Sequence, residues 1–436
     1  MNKTIFALLC ALIFWLPLPL GSYRIWAIMF FGFMIAVTFF LHLVNCAYSK
    51  QAIIPDKSSW PLLGTLLSVI FVLAIQLLPT SFQSIDPNQT SIMLLKTITM
   101  LLLVCLVLLY VNSKDRIKTF LYWLIAAGVF QALYATFLNL TPESTSLIFD
   151  YKYTQRARGS FTYQNFLANY LALCLAMGIG LLISELKIKN SSSNWRAIIR
   201  DLASTLLSSK MFLRLSLIIM IIGLILTRSR MGNSAFFIAL AAVSLFAFFF
   251  YYRRPQNLRL LIISFFIVDL IIVGAMFGVE KVKERLVETS LQSETRDEVV
   301  RDSIPLILDK PLLGSGGGSF YTAFPAYQPE IYSGYYDNAH NDYIQFAVEL
   351  GIPATIMLGG LLLYVLWLAV RTMMRRKTPL YQGVAFGGAI AIVHMLLHST
   401  VDYSLQAGAN SMTFAVILAL VFQVNSLKHV KKKRYD

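Results

Sequence analysis

The chain has 436 residues, of which 57% are hydrophobic and only 14% charged, with a mean hydropathy of +0.66. A soluble domain carries about a quarter charged residues, so a soluble fold is excluded and an integral membrane protein is expected. The net charge of +15 does not indicate nucleic-acid binding, because the basic residues sit in short loops and in the tail Lys428, Lys431, Lys432, Lys433 and Arg434, leaving no basic face.

A membrane span needs roughly 20 apolar residues to cross about 30 Å of hydrocarbon. Stretches of that kind lie near 4–20, 25–45, 61–79, 91–111, 118–138, 165–185, 212–227, 232–252, 258–278, 342–370, 381–400 and 409–426, about twelve in all. The first looks like a secretory leader. No small-x-small cleavage site follows Pro17-Leu18-Pro19-Leu20, however, and a second apolar run starts at Ile25, so it reads as a retained span. Basic residues crowd into every second connection: Lys50 and Lys57; Lys114, Arg116 and Lys118; Lys187, Lys189, Arg196, Arg200 and Lys210; Arg253, Arg254 and Arg259; Arg371, Arg375, Arg376 and Lys377. By the positive-inside rule these connections and both termini face the cytoplasm. The expected architecture is an all-α polytopic membrane protein. Residues 1–278 hold nine spans, 279–341 form one large outward loop containing a helix, and 342–436 hold three more spans and the basic tail.

The loop divides into two halves. From Glu280 to Ile304 it is charged and helix-forming, with Val282, Leu286, Val299, Val300 and Ile304 available for one buried face, and Pro305 expected to end or kink it. From Leu313 to Tyr336 it is rich in Gly, Tyr and Pro, and its aromatics suit stacking on sugar rings. Gly314-Ser315-Gly316-Gly317-Gly318 lacks the Lys-Ser/Thr of a phosphate-binding loop and reads as a flexible turn. Cys10, Cys46, Cys105 and Cys174 lie in or beside apolar segments and read as small core residues.

The outward connections hold the cations that topology disfavours: Arg158, Arg228, Arg230, Arg296, Arg301 and His340. An arginine near hydrocarbon costs roughly 2.5–3.5 kcal/mol at mid-bilayer and less at the interface. Its planar fork matches phosphate oxygens and stays charged, so Arg228 and Arg230 suit a phosphate-bearing substrate, with head-group anchoring the alternative. Arg296 and Arg301 have acidic neighbours (Glu294, Asp297, Glu298, Asp302), so surface ion pairing competes with the same role. Arg158 and Asn165 lead into the sixth span, with helix capping by Ser160 or Thr162 as the plainer reading. His340 sits where the loop meets the tenth span, within reach of both a lipid-borne and a soluble substrate, and imidazole takes up a proton near neutral pH. His394, His398 and Asp402 recur at four-residue spacing on one face of the eleventh span. Without the adjoining glutamate of a HExxH site they read as polar packing, and no metal or cofactor is expected. Lys96 and Asp269 lie within apolar runs and are expected to face inward; residues of that kind keep a lipid-linked glycan transporter open as a reading.

Together, Arg158-Gly-Ser-Phe…Asn165, Thr227-Arg228-Ser229-Arg230, Arg301-Asp302…Pro311-Leu-Leu-Gly-Ser-Gly, His340-Asn341-Asp342-Tyr343…Glu349-Leu-Gly-Ile and His398-Ser399…Asp402 resemble the O-antigen ligase-related superfamily over roughly residues 150–405. That superfamily comprises O-antigen ligases, polysaccharide-repeat polymerases and protein O-oligosaccharyltransferases. The resemblance implies a GT-C-like, metal-independent glycosyltransferase of the bacterial inner membrane with a periplasmic active site. Undecaprenyl-pyrophosphate-linked glycan would be the donor, and lipid A–core the foremost hydroxyl acceptor. It implies that Arg228, Arg230, Arg296, Arg301 and Arg158 hold the pyrophosphate and that His340 activates the acceptor. Asn165, Asn341, Asp342, His398 and Asp402 would support them. A repeat polymerase, which joins two lipid-linked glycans, would use the same clamp and base.

Overall fold

The computed structural model describes residues 1–49, 52–141, 145–146, 156–185, 209–250, 295–329 and 336–427. Among these the chain is helical, in chain order α1 (Asn2–Trp15), α2 (Ile25–Tyr48), α3 (Trp60–Gln76), α4 (Pro87–Tyr110), α5 (Lys114–Leu140), α6 (Gln164–Glu185), α7 (Ser209–Leu226), α8 (Arg230–Phe250), α9 (Thr295–Asp302), α10 (Ile304–Asp309), α11 (Phe320–Ala323), α12 (Asp342–Leu350), α13 (Ile352–Arg375), α14 (Pro379–His398) and α15 (Gly408–Ser426). Nine of them (α2 to α6, α8, α13, α14 and α15) are long and apolar enough to cross a membrane. The chain is an all-α, multi-pass membrane protein.

The helices α1 and α7 are apolar but shorter than a full span within the described residues. Pro17 and Pro19 stop α1, because proline cannot donate the backbone bond that a continuing helix needs. The expected span 258–278, with Asp269, lies outside the described residues. The tenth expected span, 342–370, is two helices. Gly351 adopts φ 83°, ψ 167°, a conformation that a side chain resists, and Pro353 opens α13. The short amphipathic α12 therefore belongs to the extramembrane layer and the span begins at Ile352.

The bundle is centred on α6, which is buried along its whole apolar length. It packs most extensively against α14. Both helices are apolar all round, as an enclosed helix must be, and both carry small residues at four-residue spacing: Ala176 and Gly180 on one, Gly383 and Gly387 on the other. The backbones meet there. A Cβ on Gly383 would lie 2.2 Å from the Gly180 carbonyl oxygen, and one on Gly387 would lie 2.5 Å from that of Ala176. Hydrocarbon gives helices no hydrophobic drive to associate, so such close backbone packing is what holds them. Gly383→Val is expected to remove the protein from the membrane fraction, whereas Gly64→Val, at a position with open space around it, is expected to accumulate normally. Immunoblots of isolated membranes read both, and normal accumulation of Gly383→Val would contradict this packing.

The two ends of the bundle differ in chemistry. One carries Lys114, Arg116, Lys118, Arg371, Arg375 and Arg376. Here Lys118 pairs with Glu185 at 2.6 Å and Arg376 donates to the Leu427 carbonyl at 2.8 Å. The other end, the site end below, gathers the C-termini of α1, α3, α5, α7 and α14 and the N-termini of α2, α4, α6, α8, α13 and α15. Long-range bonds tie its connections together: Ser160 Oγ donates to the Pro17 carbonyl, Ala157 N to Leu226 O, and Ile85 N to Ser315 O.

Over the site end sits a small second core. Val299 of α9, Leu306 and Ile307 of α10, and Phe320 and Phe324 around α11 bury against Ala339 and Val348. Pro305 divides α9 from α10 as expected, occupying the first turn of α10 where its missing N–H is harmless. The glycine run is not a loose turn. Ser315 N and Gly316 N donate to the carbonyls of Val348 and Glu349, Gly317 N donates to Gln76 Oε1, and Thr90 Oγ1 donates to Gly317 O. A Cβ on Gly316 would lie 1.9 Å from Ser84 Oγ, so absence of a side chain lets the strand thread between α3, α4 and α12. Periodicity does not reveal this, because every partner is distant in sequence.

Candidate active site

Among the described residues, four non-glycine residues have positive φ: Leu20, Ser22, Arg228 and His340. All four lie at the site end. A left-handed backbone at a bulky residue costs of order 1–3 kcal/mol and persists only where its surroundings over-determine it. Two of these residues, Arg228 and His340, are ones the sequence singles out for chemistry.

His340 (φ 51°) is half-buried between two anchors. Upstream, the Ala339 amide donates to Gln345 Oε1 at 2.8 Å. Downstream, Asn341 caps α12: its Oδ1 accepts from the amides of Tyr343 (3.0 Å) and Ile344 (3.2 Å), and its Nδ2 donates to the Thr400 carbonyl. A capping asparagine at this point contributes about 1 kcal/mol. The imidazole stands edge-on to Tyr403 with ring centres 4.8 Å apart, and Tyr336 flanks it at 6.2 Å. Tyr403 stacks in turn on Tyr163. The histidine thus forms part of an aromatic wall.

Beneath it lies a buried polar web. Asp342 N donates to the carbonyls of Ser399 and Asp402, and Asp342 Oδ2 accepts from Ser399 Oγ at 2.9 Å. Burial pushes the Asp342 carboxyl well above the usual carboxylate range, and Asp402 adds to the rise, against the bonds from Ser399 and Leu405 N. Asn165, in the first turn of α6, donates to Asp402 Oδ2 and to the Tyr163 hydroxyl. His398 Nδ1 is 3.2 Å from Ser404 Oγ, and His398 Nε2 is 3.9 Å from Asp402 Oδ2. The structure therefore brings His340, Asn341, Asp342, Asn165, His398 and Asp402 into one network. One expectation is corrected: α14 ends at His398, so Asp402 is not on its face but reaches back from the following turn. His394 bonds Asn169 at 2.9 Å and stacks on His398 at 5.4 Å, an arrangement of polar packing.

The arginines are spread around this core. Arg228 and Arg230 bracket the α7–α8 turn and are exposed, while Thr227 and Ser229 between them are buried. Ser229 Oγ accepts from Gly232 N, capping α8, and Thr227 Oγ1 accepts from Ser229 N. The small residues build the turn and the arginines project from it. Gly232 packs this turn against Ala168 of α6, one turn below Asn165. Arg158 is half-buried on the connection that leads into α6, which Ala157 N bonds to Leu226 O at the end of α7. Ser160 does not cap α6; its hydroxyl goes to Pro17 O and Gln131 Oε1. Arg301 Nε sits 3.0 Å from Asp302 Oδ1, the surface pair that its acidic neighbours suggest. Arg296 lies in the first turn of α9, and its side chain is outside the described part.

Next to the web, α3, α4, α12, α13 and α15 enclose an apolar cavity of about 220 Å³. Asp342, Ser399 and Gly318 line its polar end, and Leu62, Leu362 and Leu418 its deep end. Along α4 it runs from Gln89 to Met100, roughly 16 Å at 1.5 Å per residue. Lys96 also lines it, as an inward-facing span residue should.

Residues 215–359 match the family model described as O-antigen ligase. That segment is similar to the O-antigen ligase family. No curated protein matches the chain. The O-antigen ligase-related segment contains Arg228, Arg230, Arg296, Arg301, His340, Asn341 and Asp342, and it also contains Gln345 and Glu349. Arg158, Asn165, His398 and Asp402 lie outside it and meet it through α6 and α14. Members of this family are glycosyltransferase-like enzymes, ligases or polymerases. Sequence reasoning named Ser399 and Glu349 only as members of the quoted strings, with no role, and overlooked Tyr403 and Gln345. Gln345 and Glu349, which follow Asp342 at three- and four-residue spacing on one face of a short helix, were the available signal.

Proposed function

We propose that the chain transfers a glycan from undecaprenyl pyrophosphate to a hydroxyl acceptor at the outer face of the bacterial inner membrane, with ligation of O-antigen to lipid A–core as the preferred reaction. The observation that carries this reading is a strained histidine, held from both sides, two residues before Asp342, which lines an apolar cavity between the candidate spans. A glycan donor outside the cytoplasm must bring its own leaving group, and a polyprenyl pyrophosphate does so while partitioning into the bilayer. The cavity suits a segment of its chain, since roughly 16 Å is half of the hydrocarbon thickness. Arg228 and Arg230, with Arg158, Arg296 and Arg301 as further contributors, would meet the pyrophosphate as charge grows on the departing oxygen. Fixed guanidinium donors stabilise such charge most where water is excluded.

In this reading His340 removes the proton from the acceptor hydroxyl as that oxygen attacks the anomeric carbon. The bond to the phosphate oxygen breaks, and undecaprenyl pyrophosphate leaves. Asn341, Asp342, Asn165, His398 and Asp402 hold the turn and the aromatic wall, against which a sugar ring can stack. We read the reaction as metal-independent, with His394 Nε2 and His398 Nδ1 engaged in polar packing to Asn169 and Ser404. The basic end of the bundle would face the cytoplasm, which supports placing His340 outside.

A lipopolysaccharide gel from the native host lacking this gene tests the reading. Loss of capped lipopolysaccharide with accumulation of long lipid-linked polymer is the expected result. Core bearing a single repeat would make the chain a polymerase, and an unchanged pattern would contradict both.

A further inference from the structure

The helix α12 carries a polar stripe, of which only Asp342 belongs to the web already described. Asp342, Gln345 and Glu349 follow at three- and four-residue spacing, which places them on one face, and all three are buried. Burying a carboxylate and an amide is costly unless their polar atoms find partners. Here the partners run in a line that ends at the residue before the candidate base. The Ala339 amide, next to His340, donates to Gln345 Oε1 at 2.8 Å, and Gln345 Nε2 donates to Glu349 Oε1 at 2.5 Å. The Gly318 and Phe320 amides face the Glu349 carboxylate from the glycine strand and α11, Lys96 faces it from α4, and Asp342 lies on its own helix. The Glu349 carbonyl is held too, by Gln76 Nε2 at 2.8 Å and Gly316 N at 3.2 Å. Burial raises the Glu349 carboxyl to about 7, and those amides, Gln345 and Lys96 restrain the rise.

Nothing about capping α12 requires this line, because Asn341 already does that. What it does reach is the Ala339 amide, which anchors the chain one peptide unit before the left-handed turn at His340. We propose that Gln345 and Glu349 are positioning residues for His340, fixing through the Ala339 amide the turn that presents its imidazole against Tyr403. The consequence for rate rests on His340 being the base; the positioning does not.

The test uses the full-length protein in membranes, with diethyl pyrocarbonate labelling of His340 read by peptide mass spectrometry against His429 in the same digest, alongside glycan transfer in the host. Gln345→Leu and Glu349→Ala are each expected to change His340 labelling about threefold and lower transfer about 10- to 100-fold, at unchanged protein level. The double exchange Gln345→Glu with Glu349→Gln keeps the order of donors and acceptors. The introduced carboxylate accepts from Ala339 N and from the introduced amide, whose own oxygen meets the Gly318 and Phe320 amides. This exchange is expected to restore both readouts, which a loss of packing alone would not predict. Wild-type labelling and transfer in the single variants would overturn the proposal, as would an exchange variant no better than they are. If the single variants fail to accumulate, the exchange variant alone decides by the same two readouts. Altered labelling in the single variants combined with normal transfer by His340→Ala would uphold the positioning and remove the base.

Discussion

His340→Ala is expected to lower glycan transfer by about 10²–10⁴-fold while leaving the protein's amount and its capture of donor lipid unchanged. The imidazole is half-buried and meets Tyr403 edge-on, so its removal opens no large cavity in the core. The backbone makes a sharper version possible. Because φ at residue 340 is 51°, His340→Gly relieves a conformation that costs of order 1–3 kcal/mol. It is expected to raise the unfolding temperature in detergent while still losing transfer. A residue that lowers stability and is kept for chemistry behaves in this way; a residue kept for packing loses both together. Wild-type transfer by His340→Ala would take the base role away from it.

Arg228 offers the second large effect. It too has positive φ, at 50°, and it projects from a turn whose buried neighbours Thr227 and Ser229 do the structural work. Arg228→Ala is expected to lower transfer by about 10²–10³-fold, the scale seen when one fixed donor to developing negative charge is removed. Arg228→Lys keeps the charge but not the two-pronged geometry, and is expected to recover little of the loss. Both are read by transfer rates at several donor concentrations. If Arg228→Lys matches wild type, the guanidinium is only an interfacial anchor, since a lysine reaches head groups equally well.

Most of the fold was legible because a bilayer demands long apolar helices and sorts cations between their connections. The distribution of Lys114, Arg116, Arg371 and Arg376 against Arg228 and His340 already separates the two ends. Three features were not legible, each for a physical reason. The break at Gly351 looks apolar on both sides, and only its backbone angle reveals that α12 leaves the membrane layer. The glycine run at 314–318 reads as flexible by composition, yet its bonds go to Gln76, Thr90 and Glu349, contacts that local spacing does not encode. Asp402 kept the four-residue spacing from His398 but lies past the end of α14. Within the site, Asn341 and Asp342 were legible as supporting residues through the family resemblance, whereas Tyr403 and Gln345 act through partners that only the folded chain brings near.

The measurement that bears most directly on the central claim uses purified protein in lipid vesicles supplied with radiolabelled polyprenyl-pyrophosphate-linked glycan and a hydroxyl acceptor, wild type beside His340→Ala. This account predicts release of polyprenyl pyrophosphate in step with glycan appearing on the acceptor, both lost in the variant. Intact donor crossing the vesicle membrane, uncleaved and regardless of His340, would contradict it and make the chain a transporter.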